Sequence, residues 1–442
     1  MDPDRSKPIS TPDRALKRVL DLHKAFFNRV PGGRRASLKF MEMSGLDLAG
    51  RCLAEADLSG ARFRSADMRA ADLRGANMFG ADLTGADLTG ARLETADLRG
   101  ATLRNAVLVK ADLTRVDLRE GMLVAAASGD LRHSHEDRGT VLEGADARGA
   151  GFRHARLSDA VLKKADLRNA DLRNSILARA NLGNADLTGC NLRGADLTNA
   201  NMTGAILDGA SLDNATMVSA VLQKASLMGV ILDEVDLSRT DMRDAVVPRP
   251  PQASVSEIIG QHARWVESKG QTGTRADLTG IDLTGVDLRG VDLSAAVLKG
   301  AVLRGANLAG ALLAMADLSL VDGRSLTMVG ADLRGVRLER GILTRANLSE
   351  VRAGPLPISG HVHWPANLTY ARLGSVCLAK ADLTQANLRW ADLSQADLKG
   401  ADLSGASLCE AVLRGTDLRG VKQEGADFTG CVGLAAAKGG AV

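Results

Sequence analysis

Along most of the chain an aliphatic side chain recurs at every fifth position, with Ala two places before it and Asp or Asn between, as in ADLTGADLTGARLETADLRGA from Ala81 to Ala101. A period of five fits neither the turn of an α-helix nor the plain alternation of a strand. It fits a short extended segment followed by a corner. In Ala-Asp-Leu the Ala and Leu point to one side of the backbone and the Asp to the other. The last two positions, often Thr-Gly, Arg-Gly or Ser-Gly, turn the chain, and Gly supplies the dihedrals a corner needs. With Leu and Ala facing inward, each five-residue unit becomes one side of a tube. One unit buries almost nothing alone, so stability must come from coils stacked at the ~4.8 Å spacing of a sheet. Like residues then form columns, and each coil has to match the next.

The register can be followed through Leu48, Leu53, Leu58, Phe63, Met68 and Leu73 as far as Leu123. It resumes at Leu142 and runs to Val247, then starts again at Leu278. The expected core columns include Leu73, Leu83, Leu88, Leu98, Leu187, Leu197, Leu283, Leu393 and Leu403. The step from Leu123 to Leu142 is not a multiple of five, so 124–139 is expected to leave the coil path as a loop. Gly354 to Pro365 looks irregular, yet the register survives it. Ile358 and His363 fall in the central slots, which predicts distorted coils with a bulge at 354–365.

Two segments carry the period of a helix instead. Residues 12–30 follow Thr11 as an N-cap, with Pro12 in the first turn and Leu16, Val19, Leu20, His23, Phe27 and Val30 on one face. Residues 255–269 follow Ser254, with Glu257 placed to complete a capping box, and carry His262 with Trp265 at the edge of the apolar face. The two resemble each other: His23 aligns with His262, Phe26 with Trp265 and Arg35 with Arg275. The first is expected to cap the N-terminal solenoid end, which otherwise exposes Leu side chains and unpaired backbone, and the second either to cap the second solenoid or to pack on its flank. The implied organisation is a basic N-terminal segment with its helix (1–35), a solenoid (36–247), a linker and helix (248–275), a second solenoid (276–433) and a flexible tail (434–442).

Composition narrows the chemistry. Aromatic residues make up 2% of the 442 residues, which excludes a bulky aromatic core and leaves few platforms for nucleic-acid bases. Residues 1–40 hold ten Lys or Arg against four Asp, so with a net charge of +3 the rest is close to neutral. That balance signals neither direct nucleic-acid binding nor a strongly acidic rod. The five cysteines form no CxxC, which suits reduced thiols in the cytoplasm. The N-terminus lacks the apolar stretch of a signal peptide, and no apolar run is long enough to span a membrane.

The repeated Ala-(Asp/Asn)-Leu-x-x units resemble those of the pentapeptide-repeat proteins. The resemblance implies an all-β solenoid: a right-handed quadrilateral parallel β-helix with four units per coil, here joined by two short amphipathic α-helices. It implies a protein-interaction scaffold, with a protein partner of unknown identity and solenoid ends that leave room for dimerisation. A different role belongs to the quinolone-resistance members, which act as DNA mimics on type II topoisomerase (gyrase). Mimicry needs a markedly negative surface, and the near-neutral repeats disfavour it. No phosphate loop, nucleophilic triad or HExxH is present, so neither a cofactor nor enzymatic activity is expected. The histidines offer the remaining chemistry. His133 and His135 in the loop and His361 and His363 in the bulge are His-x-His pairs, each placing both rings on one side of an extended segment. Solvated or packed interaction loops are the plainer reading of both pairs.

Overall fold

The computed structural model describes residues 11–121, 139–233, 235–249, 254–359 and 362–433. They form a parallel repeat β-helix. Parallel bridges join each outward residue to its counterpart one coil later, as at Asp72↔Arg92 and Asp82↔Thr102, so a coil takes 20 residues. The bonding within one unit shows why the repeat has five letters. The Leu73 N–H donates to the Arg92 carbonyl (2.7 Å), and the Arg92 N–H returns the contact to Ala71 (2.9 Å). At the corner, the Gly75 N–H donates to Glu94 (2.9 Å) and the Ala76 N–H to Leu73 (3.0 Å). The backbone is thereby satisfied by the neighbouring coil, as buried polar groups require.

Inside, the nine leucines expected in the core columns, from Leu73 to Leu403, are all 0% exposed. Phe63 and Phe152 occupy the same position as the leucines and are likewise buried. The described residues fall into two compact units, one drawn from Met1–Ser226 and Ile231–Ala245, the other from Leu227–Val230 and Val246–Val442.

Each unit carries one helix. The first, α1 (Thr11–Phe27), is shorter than the sequence pattern suggests. Arg29 takes a positive φ of 57° and the Val30 N–H folds back onto Ala25 (2.8 Å), which ends the helix and leaves Val30 52% exposed rather than on the apolar face. The second, α2 (Val255–Glu267), starts after Ser254, but the expected capping box does not form. The Ser254 side chain makes no cap hydrogen bond; its backbone carbonyl accepts from Glu257 (2.9 Å) and Ile258 (3.1 Å) instead. Val255, Ile258 and Ile259 pack against the Leu and Ala core of the second unit.

The segment at 354–365 is not a distorted coil. It is an antiparallel hairpin of β1 (Leu356–Ser359) and β2 (Val362–Trp364), with a register irregularity between Pro357 and Ser359. The coil ladder steps directly from Arg337 to Asn367 across it. The physical reason lies in Pro355, Pro357 and Pro365, which offer no N–H to the neighbouring coil. The insertion is two pentapeptides long, which is why the sequence register survives it. Ile358 therefore stands 48% exposed instead of filling a core slot, and His363 lies exposed on β2. The ladder also steps directly from Thr102 to Val141. Most of the expected loop, with His133 and His135, lies outside the described residues, as does His361.

Candidate functional site

Most of the outer wall neutralises itself. The Asp between Ala and Leu accepts a hydrogen bond from the backbone N–H two residues on, as from Thr89 to Asp87 Oδ1 (2.9 Å). Where that next residue is Arg, its guanidinium grips the same carboxylate with two bonds, as at Arg119 and Asp117 (Nε 2.9 Å, Nη2 2.7 Å). Such pairs recur at Arg173–Asp171, Arg334–Asp332 and Arg419–Asp417. Asp332 is 4% exposed. Burial pushes its carboxyl up, but the bonds from Arg334 and the nearby Arg352 outweigh it and hold the group below the usual carboxylate range. A cleft beside Ile176 is lined by Arg99, Arg119, Arg156 and Arg179, and each of these is paired with Asp97, Asp117 or Asp159. Glu120 also lines it, so four guanidiniums meet four carboxylates and little net charge is left for an anion. Among the described residues, no group of His, Cys, Asp or Glu is arranged to hold a metal ion.

The two helix histidines are buried and matched. The Ala36 N–H donates to His23 Nδ1 (3.0 Å) and the Ala276 N–H to His262 Nδ1 (3.1 Å). His23 stacks on Phe26 (centroids 6.1 Å apart) and His262 on Trp265 (5.6 Å). Arg35 Nε donates to the Glu55 carbonyl and Arg275 Nε to that of Ala295, one coil below in each case. The loops between helix and first repeat need glycine for the same reason. A Cβ on Gly33 would lie 2.2 Å from the Phe26 nitrogen, and one on Gly273 would lie 2.3 Å from the Gln261 oxygen. These histidines orient the helix against the first coil, and burial holds both below their ordinary value of 6.5. Phe27 is half-buried under the Arg74 guanidinium, 5.4 Å from its ring centre.

The surface departs from this lattice at the β1–β2 hairpin and the wall that follows it. Ile358 (48%), Val362 (63%) and Trp364 (47%) are exposed on two short strands. At the base, Leu356 approaches the corner at Gly335. One wall later, Tyr370 and Trp390 stand one over the other at successive corners, rings 4.8 Å apart and 8° from parallel. Arg340 lies over the Tyr370 ring (4.6 Å) and Arg389 over that of Trp390 (4.7 Å). Burial pushes the Tyr370 hydroxyl up from 10.0, against the opposing pull of Arg340. Both aromatic residues adopt φ 58°, where a side chain costs about 1–2 kcal/mol. Stacking at about 0.5–1.5 kcal/mol and cation–π contact at about 0.5–1 kcal/mol offset that cost. Sequence reasoning passed over this corner although a signal was present: the only Tyr and one of the three Trp lie one coil apart at the same place in the repeat.

The family model described as "Pentapeptide repeats (8 copies)" matches residues 42–119, 138–244, 274–340 and 366–430. A comparison with curated protein sequences finds no match. Among solved structures, the chain is similar to HetL, a pentapeptide repeat protein involved in heterocyst differentiation regulation from the cyanobacterium Nostoc sp. strain PCC 7120 (28% identity, 51% of this chain and 92% of that one, TM-score 0.27). It is similar to a pentapeptide repeat protein from the thylakoid lumen of Arabidopsis thaliana (28% identity, 30% of this chain and 81% of that one, TM-score 0.21). It is also similar to QnrB1, a plasmid-mediated fluoroquinolone resistance protein (16% identity, 54% of this chain and 100% of that one, TM-score 0.21). With more than half of its length matched by the family model and the coil ladder to go with it, this chain belongs to the pentapeptide-repeat family.

Proposed function

We propose that the protein is a non-enzymatic protein-interaction scaffold. In this reading its β-helix is right-handed and four-sided, and the β1–β2 hairpin carries the contact with a protein partner. The supporting observation is the hairpin itself. It is absent from the five-residue pattern and presents Ile358, Val362 and Trp364 to solvent, on a wall whose other side chains are mostly paired. A solenoid gives such an element a rigid base. The bidentate Asp–Arg pairs speak against a phosphate-mimicking rod, because the carboxylates are already neutralised. The cysteines present in the described residues are free thiols, which fits a reducing compartment such as the cytoplasm. Replacing Ile358, Val362 and Trp364 together with Ser tests the reading. Partners captured by the intact protein are expected to be lost, while the melting temperature and the circular dichroism of the β-helix are kept. Capture that is unchanged by the triple substitution refutes it.

A further inference from the structure

The bidentate Asp–Arg unit has an exception beside the exposed aromatics. At Asn387-Leu388-Arg389-Trp390 the usual Asp is an Asn, so Arg389 has no carboxylate two residues back. The Asn387 side chain still accepts from the Arg389 backbone N–H (3.3 Å), which preserves the corner and leaves the guanidinium unclamped. That guanidinium forms no ion pair among the described residues, and its Nε is buried with no hydrogen-bond acceptor. Asp427, two coils away, feels its charge without reaching it. Arg193 also follows an Asn, but no aromatic ring holds it. Arg389 is instead fixed over Trp390, which is fixed over Tyr370. A guanidinium held over a ring, with no carboxylate of its own, is a preorganised receptor for an oxyanion.

Resting on the scaffold reading, we propose that the Arg389–Trp390 corner anchors an acidic segment of the protein partner. An Asp or Glu carboxylate pairs with Arg389, and the segment lies along the wall that runs from the hairpin to this corner. The chain path sets that geometry: Trp364 ends the hairpin before this wall, and Thr369 and Tyr370 form the corner after it. A protein fits better than a nucleic acid for two reasons. The ring faces of Tyr370 and Trp390 are taken up by each other and by Arg340 and Arg389, so no base can stack on them. The neighbouring Arg337 and Arg340 already face Asp317 (3.5 Å) and Glu339 (4.0 Å), so the wall lacks a row of unpaired cations for a phosphate backbone. Trp, Tyr and Arg are the residues that dominate protein–protein contacts.

The test is a selection of random dodecapeptides displayed on phage against the full-length protein, followed by fluorescence anisotropy with the recovered peptides. The expected winners are rich in Asp and Glu. Their affinity should fall about thirtyfold or more with Arg389→Gln, and fall likewise with Trp390→Ser. It should hold with Arg419→Gln, whose guanidinium is already clamped by Asp417. Unchanged melting temperatures show that the variants are folded. Recovery of no Arg389-dependent peptide overturns the proposal. So does Arg389-dependent binding of a 20-nucleotide single-stranded DNA in preference to the peptides. Peptides that depend on the hairpin side chains but not on Arg389 overturn the anchor and leave the scaffold reading standing.

Discussion

His262 holds the second helix to its solenoid through a single ring nitrogen, and protonating that nitrogen should loosen the cap. Nδ1 accepts the Ala276 N–H (3.1 Å), and both residues are buried. A proton on Nδ1 would set two donors against each other. Around the ring, burial lowers the pKa first; Asp292 and the Ser294 backbone push upward and Arg275 downward, and the net value lies below 6.5. The sign follows. Above the unfolded value, near 6.5, both states are neutral and the contribution to stability is full. As pH falls below it, the unfolded chain takes up the proton first, so stability declines until the lower folded value is passed. Each unit of separation is worth about 1.4 kcal/mol. Two substitutions separate the acceptor from the ring. His262→Phe keeps the stack on Trp265 but strands the buried Ala276 N–H, costing about 1–3 kcal/mol, or about 2–4 °C per kcal/mol in a unit of this size. His262→Gln keeps an acceptor that does not titrate. Hydrogen exchange of α2 and the Ala276 amide, measured between about pH 8 and 5 and corrected for intrinsic rates, should show the wild-type cap opening on acidification and H262Q staying flat. Carboxylates stay ionised over that window. Parallel losses in wild type and H262Q would refute the argument.

Further consequences follow from the same geometry. His23 makes the matching contact to Ala36, so His23→Gln should flatten the pH response of α1 alone, read by the same exchange experiment. Leu393→Ala, at a fully buried core position, should cost about 2–5 kcal/mol by chemical denaturation. Gly90 (φ 64°) has open space where a Cβ would go, so Gly90→Ala should cost only the left-handed backbone penalty, about 1–2 kcal/mol. At Gly100 (φ 64°) a Cβ would lie 2.3 Å from the Gly121 carbonyl oxygen, so Gly100→Ala should lower the melting temperature markedly more. Asp332→Asn should weaken the clamp to Arg334 and Arg352. Because the Asp332 carboxyl sits below its usual value, that stability is present above about pH 4 and is lost as pH falls through the folded value, so the stability advantage of wild type over D332N, read by chemical denaturation, should hold above about pH 4 and close below it.

The repeat was legible because one physical requirement, a side chain that fits its copy in the next coil, is imposed at every fifth residue. Leu73 and Leu403 could be placed in the core from spacing alone. The pairing of His23 with His262 could also be read, since each is followed three residues on by an aromatic, Phe26 or Trp265, and then, with one gap between the two segments, by Arg35 or Arg275 and the first repeat. The hairpin could not. Its insertion matches two pentapeptides in length, so Ile358 and His363 fell into register by arithmetic, and only the prolines flanking them betray the departure. The end of α1 was misjudged where backbone bonding decided it, at Arg29, whereas α2 begins after Ser254 as expected but without the side-chain cap. The Arg389 corner depends on an absence, an Asn where the lattice has Asp, and on a stack across coils. Both are visible in the letters only once the 20-residue coil is known.

The central claim is that partner recognition resides on the hairpin and the wall beside it rather than on the repeats. The most direct test is quantitative affinity capture with three full-length baits in parallel: wild type, the Ile358/Val362/Trp364→Ser triple variant, and a variant carrying Arg115→Gln and Arg193→Gln on repeat walls of the other unit. The account predicts a protein bound by wild type and by the repeat-wall variant and lost from the hairpin variant. A partner lost from the repeat-wall variant but retained by the hairpin variant would contradict it.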